Sequence, residues 1–152
     1  MGQYFSNEDL KSNIQKYNVD ILGRRYSFYT DNGVFSKEKL DFGTRVLLEN
    51  VPLEVFKGKV LDVGCGTKPY ESMIPHTEYV GLEFDAPENR ASKKADIFYD
   101  GLYFPLKDSG FDSILTTQVL EHVFEPEIFV AELNRVLKTN GKILLTVPFR
   151  RT

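Results

Sequence analysis

The chain of 152 residues has no tryptophan, and its single cysteine is Cys65. A lone cysteine cannot close an internal disulfide, and no cluster of ligand-type residues surrounds it, so neither a disulfide scaffold nor a metal centre is expected. Cys65 reads instead as a small residue packed into a turn. Long apolar runs are missing as well, for none approaches the roughly 20 residues that cross a bilayer. The polar start Met1-Gly2-Gln3-Tyr4 lacks the basic, then apolar, order of a secretion signal. A cytoplasmic protein with no membrane partner is the expectation. Nor is there an excess of charge: a formal net charge of −3 gives no general attraction to nucleic acid.

What remains is ordinary material for one buried core, 41% hydrophobic and 27% charged. From Val60 onward, short apolar or β-branched runs recur at Val60–Val63, Tyr79–Glu83, Asp96–Tyr99, Phe111–Thr116 and Lys142–Val147. Helical patterning fills the interval before the last run. Pro126 to Leu137 places Phe129, Leu133, Val136 and Leu137 on one stripe, with Pro126 near the start and Asn140-Gly141 past the end. The fold class that follows is α/β, a doubly wound, mostly parallel sheet of about five strands.

The first of these runs ends in Val60-Leu61-Asp62-Val63-Gly64-Cys65-Gly66, and the second ends in Glu83. Glycines at 64 and 66 let the backbone turn sharply and come close to a ligand where a Cβ would collide. An acid about 20 residues beyond such a turn can accept hydrogen bonds from two ribose hydroxyls. A dinucleotide fingerprint would add a third glycine to receive a pyrophosphate at a helix N-terminus, whereas this chain continues Thr67-Lys68-Pro69. Asp62 before the turn would repel a diphosphate but attract an ammonium, directly or through water. A phosphate-free adenosine ligand bearing an amino-acid ammonium meets all of these conditions, and a dehydrogenase meets them poorly.

Asp62-Val63-Gly64-Cys65-Gly66 closely resembles the first motif of class I S-adenosylmethionine-dependent methyltransferases, and Gly81-Leu82-Glu83 resembles their second. Residues 60–149, through Asp100, Phe104-Pro105-Leu106, Phe111-Asp112, Leu120-Glu121-His122, Arg135-Val136-Leu137-Lys138 and Thr146-Val147-Pro148, resemble the methyltransferase type 11 group, which acts on small molecules, lipids and sugars. The resemblance implies a Rossmann-like methyltransferase core with S-adenosyl-L-methionine as cofactor. Asp62, Gly64, Cys65, Gly66, Glu83, Asp100 and Gln118 are the implied cofactor residues, Asp100 matching the acid that meets the adenine and Asp96 competing for that role. His122 follows the fourth strand, where the pocket opens. It is a candidate base for the acceptor's proton, or merely the start of the next helix.

Residues 1–55 read as a separate entry segment, before a cofactor core at 56–152. Val19–Leu22 and Tyr26–Thr30 alternate on either side of Gly23-Arg24-Arg25, which predicts a β-hairpin, and Lys39–Leu48 is amphipathic. Tyr29 to Ser36 and Leu40 to Leu48 resemble the entry segment of ribosomal-RNA small-subunit guanine-N2 methyltransferases of the RsmC type. That resemblance makes Phe35, Ser36, Asp41 and Thr44 candidate substrate or lid residues, with a structural lid and core helix as the other reading. The Asn-Pro-Pro motif of those RNA enzymes is replaced here by Thr116-Thr117-Gln118-Val119, so the chain looks chimeric, joined near Val60–Gly66. Its first 50 residues hold seven Lys or Arg and seven Asp or Glu, no basic face by composition.

The full class I pattern has two further strands after Lys142–Val147, so this strand is expected at an exposed edge. It would pair with a second copy through residues 143–147, lie under the hairpin, or leave the protein marginal. The predicted activity is methyl transfer from S-adenosylmethionine to an unidentified acceptor, a small molecule ahead of RNA. The alternatives are an rRNA guanine-N2 methyltransferase-like protein, and a cofactor-binding remnant or designed chimera without catalysis.

Overall fold

Alternating residues build the first pair of strands. The computed structural model describes residues 13–21, 23–30, 42–92 and 94–148. In it β1 (Gln15–Ile21) and β2 (Arg24–Thr30) pair antiparallel, with Ile21 opposite Arg24. The turn is therefore tighter than the expected Gly23-Arg24-Arg25. Both arginines belong to β2, and only positions 22 and 23 connect the strands, Gly23 at φ +77°. Arg25 gains from that placement, because in register with Asp20 its guanidinium donates to both carboxylate oxygens at 3.0 and 3.1 Å. Asn18 and Ser27 pair likewise at 2.7 Å. The next described element is α1 (Phe42–Asn50), which overlaps the expected amphipathic stretch, and residues 39–41 of that stretch lie outside the described residues. Phe35, Ser36 and Asp41 lie outside the described residues, and for Thr44 only the helical backbone is described.

The chain divides into two compact units, Met1–Pro52 and Leu53–Thr152. The second is built on a five-stranded sheet of β3 (Lys59–Val63), β4 (Glu78–Phe84), β5 (Ile97–Tyr99), β6 (Phe111–Thr117) and β7 (Leu137–Thr146), in the order β5-β4-β3-β6-β7. Every pairing is parallel. Such strands must be covered on both faces, and the core accordingly falls into two clusters. Leu61, Val63, Leu82 and Ile114 meet Phe129, Leu133 and Val136 of α3 (Pro126–Val136). Val60, Tyr79 and Leu115 meet Phe56 and Ile74 on the opposite side. A short helix, α2 (Pro87–Ser92), links β4 to β5.

Two departures from the sequence expectation concern β7. The helix stops at Val136 and the chain becomes extended at once, with Leu137 at φ −81° and ψ 136°. Asn140 and Gly141, expected in a loop past the helix, lie inside the strand. They occupy an irregularity where pairing steps from Phe111↔Leu137 to Ser113↔Lys142, and Asn140 takes φ +64°. As expected, β7 is the sheet's edge.

A polar clamp holds the segment that follows β5. Glu132, only 6% exposed, accepts from the Phe104 N–H at 2.7 Å. Arg135 donates to Glu132, to Asp108, and to the carbonyls of Leu106 and Phe104 at 2.6 to 3.0 Å. Both Glu132 oxygens thereby have partners, and residues 104–108 are fixed against α3.

Candidate functional site

Strand order reverses between β3 and β6, and at their carboxyl ends lies a cleft of about 390 Å³. This is where an open parallel sheet leaves room for a ligand, because neighbouring crossovers run to opposite faces. The lining comes from Gly64, Gly66, Glu83, Phe84, Tyr99 and Gly101 on one side and Thr117, Gln118, Val119, His122, Val123 and Phe124 on the other.

The turn after β3 is held by its backbone. Gly64 and Cys65 donate to the Leu82 carbonyl at 2.8 and 3.3 Å, and Gly64 and Gly66 stand at φ +72° and +52°. The space over the two glycines differs. A Cβ on Gly64 would collide with Cγ2 of Val119, whereas above Gly66 nothing lies within 4 Å. The first glycine admits the loop after β6, and the second leaves a bare cradle open. Glu83 completes it: one carboxylate oxygen accepts from Gly66 N–H at 3.0 Å and the other from Phe84 N–H at 3.1 Å. These bonds aim the carboxylate and leave each oxygen a further lone pair for a hydroxyl donor.

Asp62 lies elsewhere. Period-two alternation puts it on the strand face of Val60, away from the lining. It is 2% exposed and accepts from the Tyr79 hydroxyl at 2.7 Å. Burial pushes its pKa up to about 7, with the nearby Glu83 charge adding to the rise and the Tyr79 hydrogen bond opposing it. Cys65 is also buried, its thiol pushed up to about 12 chiefly by desolvation, which makes it a packing residue and not a nucleophile.

The two acids near β5 separate cleanly. Asp96 takes the Lys68 ammonium and the Gly81 N–H on the same oxygen, the latter at 2.7 Å. Burial raises its pKa, but those two partners together bring it below the ordinary carboxylate value. It thus anchors the turn to the sheet. Asp100 is exposed, next to the lining residue Gly101, and accepts from the N–H groups of Leu102 and Tyr103 at 2.9 and 3.1 Å, which lower its pKa.

Gln118 lines the cleft from a left-handed backbone position, φ +56°, where its N–H donates to the Thr146 carbonyl at 3.1 Å and its side-chain NH₂ to the Thr146 hydroxyl at 3.3 Å. A non-glycine residue there stores strain that packing must offset. His122 also lines it, mostly exposed, its Nε2 4.0 Å from Glu121.

Of the sequence-predicted residues, then, Gly64, Gly66, Glu83, Gln118 and His122 come together on the lining, while Asp62, Cys65 and Asp100 stand behind or beside it. Phe84, Tyr99, Gly101, Thr117, Val119, Val123 and Phe124 were missed. Their shared signal is position, since all lie at or just past the carboxyl ends of β4, β5 and β6. Among the described residues no group of three His, Cys, Asp or Glu side chains gathers to hold a metal ion. No helix among them is long and apolar enough to cross a membrane.

Comparison with known proteins gives the site a context. The family model described as "Methyltransferase small domain" matches residues 25–148, across the place where the two sequence resemblances meet. The Ribosomal RNA small subunit methyltransferase C of Colwellia psychrerythraea is 43% identical over 58 residues, 38% of this chain and 16% of that protein. A "probable S-adenosylmethionine-dependent methyltransferase" of Mycolicibacterium smegmatis is 32% identical over 100 residues, 61% of this chain and 39% of that protein. The chain thus spans well under two thirds of these relatives. The PH0226 protein of Pyrococcus horikoshii shares the fold, with a TM-score of 0.52 at 23% identity over 71% of this chain and 55% of that one.

Proposed function

The chain belongs to the methyltransferase small domain family, and from that membership we propose that it binds S-adenosyl-L-methionine in the β3/β6 cleft and directs methyl transfer to a small-molecule acceptor. The observation that carries this reading is the Glu83 carboxylate, fixed by the Gly66 N–H beside an open glycine cradle. The residues fit the cofactor. Its ribose diol needs the aimed carboxylate, and its lack of phosphate matches a described lining with no Lys or Arg.

When bound, the cofactor supplies a methyl group on a positively charged sulfur, ready for a nucleophile. The chain's own part is to bind, orient and take a proton. Gly64 lets the loop after β6 close on the turn, Gly66 would leave the turn's backbone open to the cofactor, and Glu83 would hold the ribose. Asp100, beside Gly101, would meet the adenine, and Gln118 on the lining would be a further cofactor contact. Asp62, buried and away from the lining, would reach the ammonium only through water. His122 receives the acceptor's proton, a contribution smaller than in-line positioning. An RNA acceptor is a second reading, favoured by the match to the small-subunit rRNA methyltransferase and opposed by the cation-free lining.

Calorimetric titration with S-adenosylhomocysteine, with NAD as control, tests the proposal. We expect saturable binding by the wild type, at least tenfold weaker binding by Glu83→Ala, and none of NAD. A folded protein that ignores S-adenosylhomocysteine, or a Glu83→Ala variant that binds it normally, would sink the reading.

A further inference from the structure

The two sides of the cleft differ in chemistry. The side formed after β3, β4 and β5 contains Glu83, the lining's one carboxylate among the described residues. The side after β6 contains neither a carboxylate nor an ammonium and ends in Phe124. Phe124 is 96% exposed, yet its backbone is not loosely tethered. On one flank His122 N–H and Val123 N–H donate to the carbonyls of Val119 and Leu120 at 2.9 and 3.3 Å. On the other, Pro126 opens α3 and Phe129 N–H donates to the Glu125 carbonyl at 3.0 Å. A large ring is thus presented at the rim from a braced loop.

We infer that this side of the cleft receives an acceptor carrying an aromatic ring and an amine, without phosphate or carboxylate, and that Phe124 is the face on which the ring rests. The inference rests on the methyltransferase reading of the cleft and extends it to the acceptor. A phosphate or carboxylate entering here would face Glu83 with no Lys or Arg on the described lining to pair with it. A protonated amine meets the opposite situation, drawn by Glu83 and by Glu121 behind His122. An exposed phenyl face adds attraction for both parts of such a molecule, stacking with its ring and holding its cation over the π-system.

Three probes separate these elements on the chain saturated with S-adenosylhomocysteine. Tryptamine carries ring and cation, indole-3-acetate the same ring with the opposite charge, and hexylamine the cation without the ring. We expect tryptamine to bind about tenfold more tightly than either of the others. Phe124→Ala should bring tryptamine down to the level of hexylamine and Phe124→Tyr should restore it, each measured on chain saturated with S-adenosylhomocysteine. The inference is overturned if indole-3-acetate matches tryptamine, if Phe124→Ala keeps tryptamine affinity, if the loaded chain binds no tryptamine, or if a short RNA hairpin binds it more tightly than tryptamine. A chain that fails to take S-adenosylhomocysteine at all overturns the cofactor reading itself, so the two failures are distinguishable.

Discussion

Asp20 in the two-stranded sheet and Asp62 in the five-stranded sheet are the same residue under opposite physics. Asp20 is exposed, and the Arg25 guanidinium bonded to it lowers its pKa. Asp62 is buried beneath the glycine turn, and desolvation lifts it to about 7 although Tyr79 donates to it. The contrast extends to what holds each region. Described contacts in the hairpin include cross-strand polar pairs set by register, whereas the sheet around Asp62 closes between two apolar clusters. A polar pair in water specifies alignment cheaply, and a buried one is tolerated only where packing offsets its desolvation.

The largest effect should come from the packed region. Leu82 is fully buried at the centre of β4, so Leu82→Ala should destabilise the core unit by about 2–5 kcal/mol, read from chemical denaturation. A loss below 1 kcal/mol would mean that the core collapses around the gap and that the contrast with the hairpin is overstated.

Protonation of Asp62 comes next. Its folded pKa is raised, so between 3.8 and about 7 the native state holds a proton that the unfolded chain has released. Stability from this group is therefore complete below the lower value and is lost as pH rises through the upper one, a gap corresponding to roughly 4 kcal/mol at most. Comparing Asp62→Asn with wild type should isolate that slope: the wild type weakens from pH 4 to 7 relative to the variant. Parallel stability profiles would show that Asp62 is ionised throughout.

The smallest effect is expected at the hairpin. Asp20→Ala and Arg25→Ala remove a bidentate but fully solvated pair, and neither should move the thermal midpoint of the core unit measurably in 0.15 M salt. A clear drop would mean that the exposed pair matters as much as burial does.

Much of the architecture was legible before any coordinates. Val60–Val63 and Phe111–Thr116 were readable as strands because parallel strands buried on both faces are continuous apolar runs. The α3 stripe at Phe129, Leu133 and Val136 followed from helical spacing. Gly64, Gly66 and Glu83 were legible as lining residues because a glycine turn after one strand and an acid at the end of the next stand side by side at the edge of a parallel sheet. The start of β7 was not, since Asn140-Gly141 is a turn signal whether it ends a helix or bulges a strand. Nor was the rim aromatic Phe124, as nothing local distinguishes a phenyl that packs from one that protrudes.

The sequence by itself determined the element types, the parallel sheet and the glycine turn with its acid, because each depends on the properties of residues close together along the chain. Only the tertiary structure decided that Asp62 is buried against Tyr79, that Asp96 is taken up by Lys68 and Gly81, and that Val119 closes over Gly64. Those outcomes depend on which distant segments the sheet order brings together, and a side chain's charge state and reach follow from the neighbours and the water it is left with.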